Sequence, residues 1–357
     1  MAFHTVEEVL AAIVPDQREE SARQAARRQW AAVAKPLGSL GLLETALEDI
    51  AALTLDAAIT LDRRTLLLLC ADNGVVAQGV TQTDSGVTAV VARSAAAGRS
   101  SVCRMARVAD CQVTPVDMGV LDLPPTENIL DRRIGNGTGD ITQGPAMSRE
   151  QVRRAVLAGV GLVREQKERG VRLLATGEMG IGNTTTTSAV ACVLLDRPAK
   201  DLTGRGAGLS DQGLRRKIWA VETAITANRP DPLDSLDVLA KVGGFDLAGL
   251  CGVFLGGAAY RVPVLMDGLI STVAALCAVR LCPETKKALL ASHVSAEPAG
   301  QLVLDQLGKK PLITAEMRLG EGTGAVAAIP LLDMALALYR DGTTFDGYGM
   351  QAYTPQG

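Results

Sequence analysis

Residues 171–191 constrain this chain more than any other stretch. They open on a short apolar run, 171–175, with the length and composition of a buried strand. Gly177, Gly180 and Gly182 follow with Glu178, Met179 and Asn183 among them, and then Thr184, Thr185, Thr186 and Thr187. Residues 188–191 are small and open a helix. A strand that passes through a glycine turn into a helix N-terminus converges backbone N–H groups on one point, and that point attracts an anion. The glycines allow positive φ and close approach to a ligand. The threonines can cap the helix and donate hydroxyls. No lysine follows as in a Walker A loop, and the spacing is not GxGxxG. Glu178 is the unusual member, because a carboxylate repels phosphate and suits a site that also holds sugar hydroxyls. A turn that merely ends a strand is the competing reading of these residues.

Composition narrows the class. The 357 residues are 47% hydrophobic and 21% charged, enough for one large domain or a large and a small one. A net charge of −3 offers no basic face for nucleic acid, and 3% aromatics offer no stacking platform. Seven cysteines without a CxxC pair read as buried free thiols in a reducing compartment. With only His4 and His293, a histidine metal site or a Ser-His-Asp triad would rest on His293 alone, so no metal is expected. The N-terminus carries Glu7 and Glu8 and no basic segment of a signal peptide. The apolar runs at 247–260 and 268–279 are too short to span a bilayer. A cytoplasmic chain with no membrane partner is expected.

Read in order, residues 5–14 and 16–34 are helical, and Pro36 breaks the second helix. Strands are expected at 65–70, 112–116, 171–175, 262–266 and 289–292. Helices are expected at 87–97, 148–169, 243–257, after Ser271, from about Ser292 and from about Gly320 to Leu338. Residues 121–147 form a long irregular segment, a length usually tied to function or to a partner. This alternation predicts an α/β fold: a mostly parallel sheet with helices on both faces. Residues 61–319 would form the large domain, with 1–60 and 320–357 joining as a small helical one. The site should follow the carboxyl edge of the sheet, near Asp72, Asp117, Glu178, Asp267 and His293. For Asp72 a ligand role and a turn role are both open, and His293 reads more simply as a packed residue. A second glycine cluster, 204–208, precedes a helix bearing Arg215, Arg216 and Lys217, whose charges either close over an anion or face solvent. Glu321, flanked by Gly320 and Gly322, is the carboxylate a substrate can reach most easily.

Seven blocks then converge: KPLGSLG from Lys35, ADNGVV from Ala71, GEMGIGNTT from Gly177, GRGAGLSDQGLRRK from Gly204, VPVLMDGLIST from Val262, SHVSAEP from Ser292 and MRLGEGTGA from Met317. In this order they resemble the nicotinate-nucleotide–dimethylbenzimidazole phosphoribosyltransferase family nearly end to end. The resemblance implies a Rossmann-like large domain, a small helical domain from both chain ends, and a homodimer. It implies transfer of ribose 5-phosphate from nicotinate mononucleotide to 5,6-dimethylbenzimidazole, with inversion at C1′ and no cofactor. By the same resemblance Glu321 is the catalytic base. Glu178, Gly180, Gly182, Asn183, Thr184, Gly206 and Lys217 hold ribose and phosphate, and Val80, Gln82, Ser85, Met179, Ser295 and Leu319 line the acceptor pocket. Family members often carry Gln-Glu before a Val-Thr pair, where this chain has Ser85 and Gly86 before Val87 and Thr88. The acceptor therefore stays open between a benzimidazole, another azole or purine, and phenol or p-cresol. Relatives that use phenols work as heterodimers of two similar chains. A dinucleotide-dependent oxidoreductase is discounted, because ADNGVVAQG after the first strand is no GxGxxG turn. A silent partner subunit would have no need of both Glu178 and Glu321.

Overall fold

The computed structural model describes residues 2–354, so Met1 and the last three residues of the expected terminal units lie outside the described residues. Helices α1 (Val6–Ala12), α2 (Arg18–Ala32) and α3 (Leu42–Thr54) lead into strand β1 (Arg64–Ala71). Helices α4 (Gly86–Ala96) and α5 (Ser101–Val108) connect β1 to β2 (Gln112–Gly119), and the short β3 is Leu130–Asp131. Helix α6 (Arg149–Glu168) leads to β4 (Leu173–Met179), then α7 (Asn183–Leu195) and α8 (Ala199–Leu202). Next come α9 (Asp211–Asn228), α10 (Ser235–Val242), α11 (Phe245–Tyr260) and β5 (Val264–Met266). The chain finishes with α12 (Leu269–Leu281), β6 (Leu289–Ala291), α13 (Gly300–Leu307) and α14 (Thr323–Asp341).

The strands form one sheet in the order β3-β2-β1-β4-β5-β6, with every pairing parallel. The order reverses between β1 and β4, and a doubly wound sheet opens its crevice at such a switch point. Side-chain alternation in β1 feeds two cores. Leu67, Leu69 and Ala71 join one cluster with α6, α7, α11 and α12. Leu66, Leu68 and Cys70 join the other with α3, α4, α5 and α14. Both faces are covered, which is why TLLLLC is continuously apolar.

Several boundaries differ from the sequence expectation. Strand β4 runs through Gly177 and Glu178 to Met179, because parallel pairing with β1 as far as Cys70↔Met179 overrides weak strand propensity. Strand β2 likewise continues to Gly119, taking in Asp117. The helix expected at 243–257 is α11, which starts at Phe245 after its N-cap Gly244 and runs on to Tyr260. Residues 292–298 stay irregular, with α13 starting only at Gly300, beyond Pro298. Among the described residues, the helix with a membrane-like length and composition is α14, not either of the shorter apolar runs. It packs Ala325, Val326, Ala328 and Ile329 into the core and touches α3, α5 and β4. All seven cysteines are free and buried, and burial pushes the Cys111, Cys192 and Cys277 thiols up to about 12.

Helix α6 starts on a full capping box, Ser148 with Gln151, and then crosses α11 at backbone contact. A Cβ on Gly159 would lie 2.0 Å from the Gly249 carbonyl oxygen, and one on Gly252 would lie 2.0 Å from that of Val156. Gly161, on the same helix, faces open space. G252A is therefore expected to lose about 3 kcal/mol by forcing the helices apart. G161A should gain up to about 1 kcal/mol of helix propensity. Urea midpoints of the two variants check both signs.

Candidate active site

Strand β4 brings Glu178 to the switch point, where its side chain is buried. The Asn183 amide nitrogen, at the start of α7, donates to Glu178 Oε2 and, at 3.0 Å, to Asp246 Oδ2. Burial, reinforced by the neighbouring Asp246 charge, pushes Glu178 up to about 8, and burial pushes Asp246 to about 6. Burial thus favours the neutral acid of Glu178, a form that can donate as well as accept. The sequence reading did not single out Asp246. It is the one charged residue between Lys241 and Arg261, and an acid inside so apolar a run was the available signal.

The glycine turn answers first to the chain itself. A Cβ on Gly180 would fall 2.3 Å from the Ala71 carbonyl oxygen, and one on Gly182, at φ +92°, would fall 2.9 Å from Val76. These glycines let the β4 exit lie directly on the β1 exit. Helix α7 begins at Asn183, so all four threonines are inside it and none is its cap. Thr184 lines the cavity and accepts from Lys217 Nζ at 2.8 Å. The Thr186 hydroxyl donates to the Asn183 carbonyl at 3.0 Å, whereas the Thr185 and Thr187 hydroxyls are buried without a partner among the described residues.

Lys217 reaches the site from α9 through the protein interior and also donates to the Gly204 carbonyl at 3.1 Å. Burial lowers its amine to about 8. A Cβ on Gly206, at φ +52°, would sit 3.4 Å from Lys217 Nζ, so this glycine keeps the cation one atom layer behind the cavity wall.

Glu321 enters from the turn before α14. Its Oε2 accepts from the Val102 N–H at 3.3 Å, and a Cβ on its neighbour Gly320 would lie 3.3 Å from Glu178 Oε1. Glu178, Thr184, Gly206 and Glu321 line one cavity of about 250 Å³. Gly180, Asn183, Met179, Ser295 and Leu319 line it too. Leu319 is 57% exposed, an apolar side chain left facing the opening.

Five expected residues lie off the cavity wall. Gly182 and Lys217 stand behind it, as described. Val80 is buried in the core, Ser85 precedes α4, and Gln82 donates to the Ala207 and Gly208 carbonyls at 3.0 and 2.5 Å. Among the strand-end residues, Asp72 is a structural tie: it accepts from the Thr88 hydroxyl at 2.6 Å and the Leu121 N–H at 2.8 Å. Asp117 accepts from the Gly119 and Val120 amides and pairs with Arg133 at 2.7 Å. His293 is buried against Gly324, its Nδ1 3.1 Å from Ser292 Oγ.

A family model described as phosphoribosyltransferase matches residues 16–349. A relative from Acetivibrio thermocellus, named nicotinate-nucleotide–dimethylbenzimidazole phosphoribosyltransferase, is 45% identical over 92% of this chain and 94% of its own. One of the same name from Ruminiclostridium cellulolyticum is 43% identical over 93% and 94%. The crystal structure of CobT from Thermus thermophilus superposes with a TM-score of 0.88 at 37% identity, covering 93% of this chain and all of that one.

The raised Glu178 carboxyl makes a stability prediction. Its folded value of about 8 exceeds the ordinary 4.5, so between those pH values the folded state binds more protons than the unfolded one. Stability from this group therefore falls as pH rises through that window. Urea midpoints of ligand-free protein from pH 5 to 9 should show the wild type losing stability relative to E178Q as pH rises. Parallel curves would contradict the burial argument.

Proposed function

The chain belongs to the nicotinate-nucleotide–dimethylbenzimidazole phosphoribosyltransferase family, and from that premise we propose how its residues share the work. The enzyme is a pentosyltransferase that moves ribose 5-phosphate from nicotinate mononucleotide to 5,6-dimethylbenzimidazole. The products are α-ribazole 5′-phosphate and nicotinate, the activated lower ligand of a cobamide and its leaving group. The C1′–nitrogen bond to the pyridinium breaks and its electron pair stays on the pyridine nitrogen, so departure requires no general acid. The acceptor nitrogen bonds to C1′ from the opposite face. The N–H proton on the acceptor's other ring nitrogen goes to Glu321, the general base.

Glu178 and Asn183 hold the ribose hydroxyls. Thr184, Gly180 and Gly206 hold the phosphate, with Gly182 shaping the turn and Lys217 supplying charge from behind. Met179, Ser295 and Leu319 border the acceptor. Val80, Gln82 and Ser85 act on it through the loop that Gln82 ties to the 206–208 turn. One observation carries this assignment: Glu178, Thr184 and Glu321 line the same cavity, on three separate elements. Holding donor and acceptor in line there supplies much of the acceleration.

We also propose that residues 1–60 and 320–357 act as one helical unit beside 61–319, which the contacts of α3 with α2 and α14 support. A cytoplasmic homodimer is proposed on the buried thiols and on the exposed Met334, Tyr348 and Met350 near the C-terminus.

Initial rates with nicotinate mononucleotide and, in turn, dimethylbenzimidazole, adenine, phenol and p-cresol test the reading. Dimethylbenzimidazole should turn over, and E321Q should lower kcat by about 10²–10⁴-fold. Faster turnover of phenols would move the acceptor class. Full activity of E321Q would remove the base assignment.

A further inference from the structure

Glu321 is held in place by its own turn and by the residues packed on it. Its backbone lies in the left-handed region, φ +58°, between Gly320 at +85° and Gly322 at +87°. A residue with a side chain is kept in that conformation by its surroundings. Gly322 is also the N-cap of α14, a position where a side-chain oxygen ordinarily accepts from the amides of the first turn. Gly322 has none, and no larger residue fits, since a Cβ there would fall 2.3 Å from Leu66 Cδ1.

Asp267, just past the end of β5, does this from across the chain. Its Oδ1 accepts from the Gly324 N–H at 2.8 Å and the Ala325 N–H at 3.0 Å, and its Oδ2 accepts from the Gly322 N–H at 3.2 Å. Asp267 is 3% exposed, and its own N–H donates to Ser271 Oγ, 3.1 Å away on α12. On the other side of the turn, a Cβ on Gly177 would lie 2.6 Å from the Glu321 carbonyl oxygen, so the β4 backbone presses on that peptide. The residue after Gly177 is Glu178. The two contacts fix the Glu321 turn relative to the ribose carboxylate. With the cap supplied by Asp267, the Glu321 carboxylate is left facing the cavity, with the Val102 amide as its hydrogen-bond partner among the described residues.

We propose that Asp267 is the positioning residue of Glu321, capping α14 from β5 so that the general base stands at a fixed distance from the acceptor. The inference rests on Glu321 being that base. Asp267 also borders the cavity, so direct contact with the donor ribose is the competing role.

A double-mutant cycle in the full chain separates them, using D267N, E321Q and D267N/E321Q with nicotinate mononucleotide and dimethylbenzimidazole. D267N should lower kcat by about 10²-fold, the scale of a small misplacement, and leave KM for nicotinate mononucleotide close to wild type. The double variant should be no slower than E321Q, because a residue that acts through Glu321 has nothing left to act on. Losses that multiply, or a raised KM with kcat intact, overturn the proposal. If D267N melts below the assay temperature, D267S, whose hydroxyl keeps one acceptor at the cap, is read by the same criteria. A wild type without transferase activity overturns this proposal and the parent reading together.

Discussion

The parallel pairing of β1 with β4 is the constraint from which the rest follows. It runs from Arg64↔Leu173 to Cys70↔Met179, joining two strands about a hundred residues apart in sequence. Because β2 and β5 lie on opposite sides of this pair, the connections leave in opposite directions and the sheet opens at its centre. Both strands need a helical layer on each face, which explains the length of the chain and the apolar character of α11 and α12. The tight glycine crossing of α6 and α11 brings one layer down onto the strands.

That geometry sets the electrostatics of the site. The carboxyl ends of β4 and β5 deliver Glu178 and Asp267 into a region that Asp246 and Glu321 also face. Such crowding raises the cost of ionising Glu178, and the protein offsets part of it through Asn183, which donates to two of the carboxylates. A donor whose ring is a pyridinium, and whose C1′ gains positive charge as the ring departs, would meet acids already gathered around it in the proposed arrangement. Phosphate requires the opposite field. In the proposed arrangement it takes the other side of the cavity, where Thr184 and Gly206 stand in front of Lys217.

Much of this was legible in residue order. TLLLLC declared a strand buried on both faces, and the glycines around Glu178 and Glu321 marked two of the carboxylates that line the cavity. The failures share a cause. The β4 residues Gly177 to Met179 have little strand propensity and pair only because β1 lies beside them. Four threonines read as a cap became helix interior because Gly182 ends the turn first. Asp246 is distant from Glu178 in sequence and meets it through Asn183. The positions of Val80, Gln82 and Ser85 depend on how the loop after β1 folds back on the 206–208 turn, a long-range contact with no local signature.

The central claim is that one cavity at the β1–β4 switch point holds the donor against Glu178 and the acceptor against Glu321. A crystal structure with α-ribazole 5′-phosphate and nicotinate bound tests it most directly. The account predicts Glu321 within about 3 Å of the free benzimidazole nitrogen, Glu178 on the ribose, and the phosphate at Thr184 and Gly206 with Lys217 behind. Product bound elsewhere, or with its base turned away from Glu321, would contradict it.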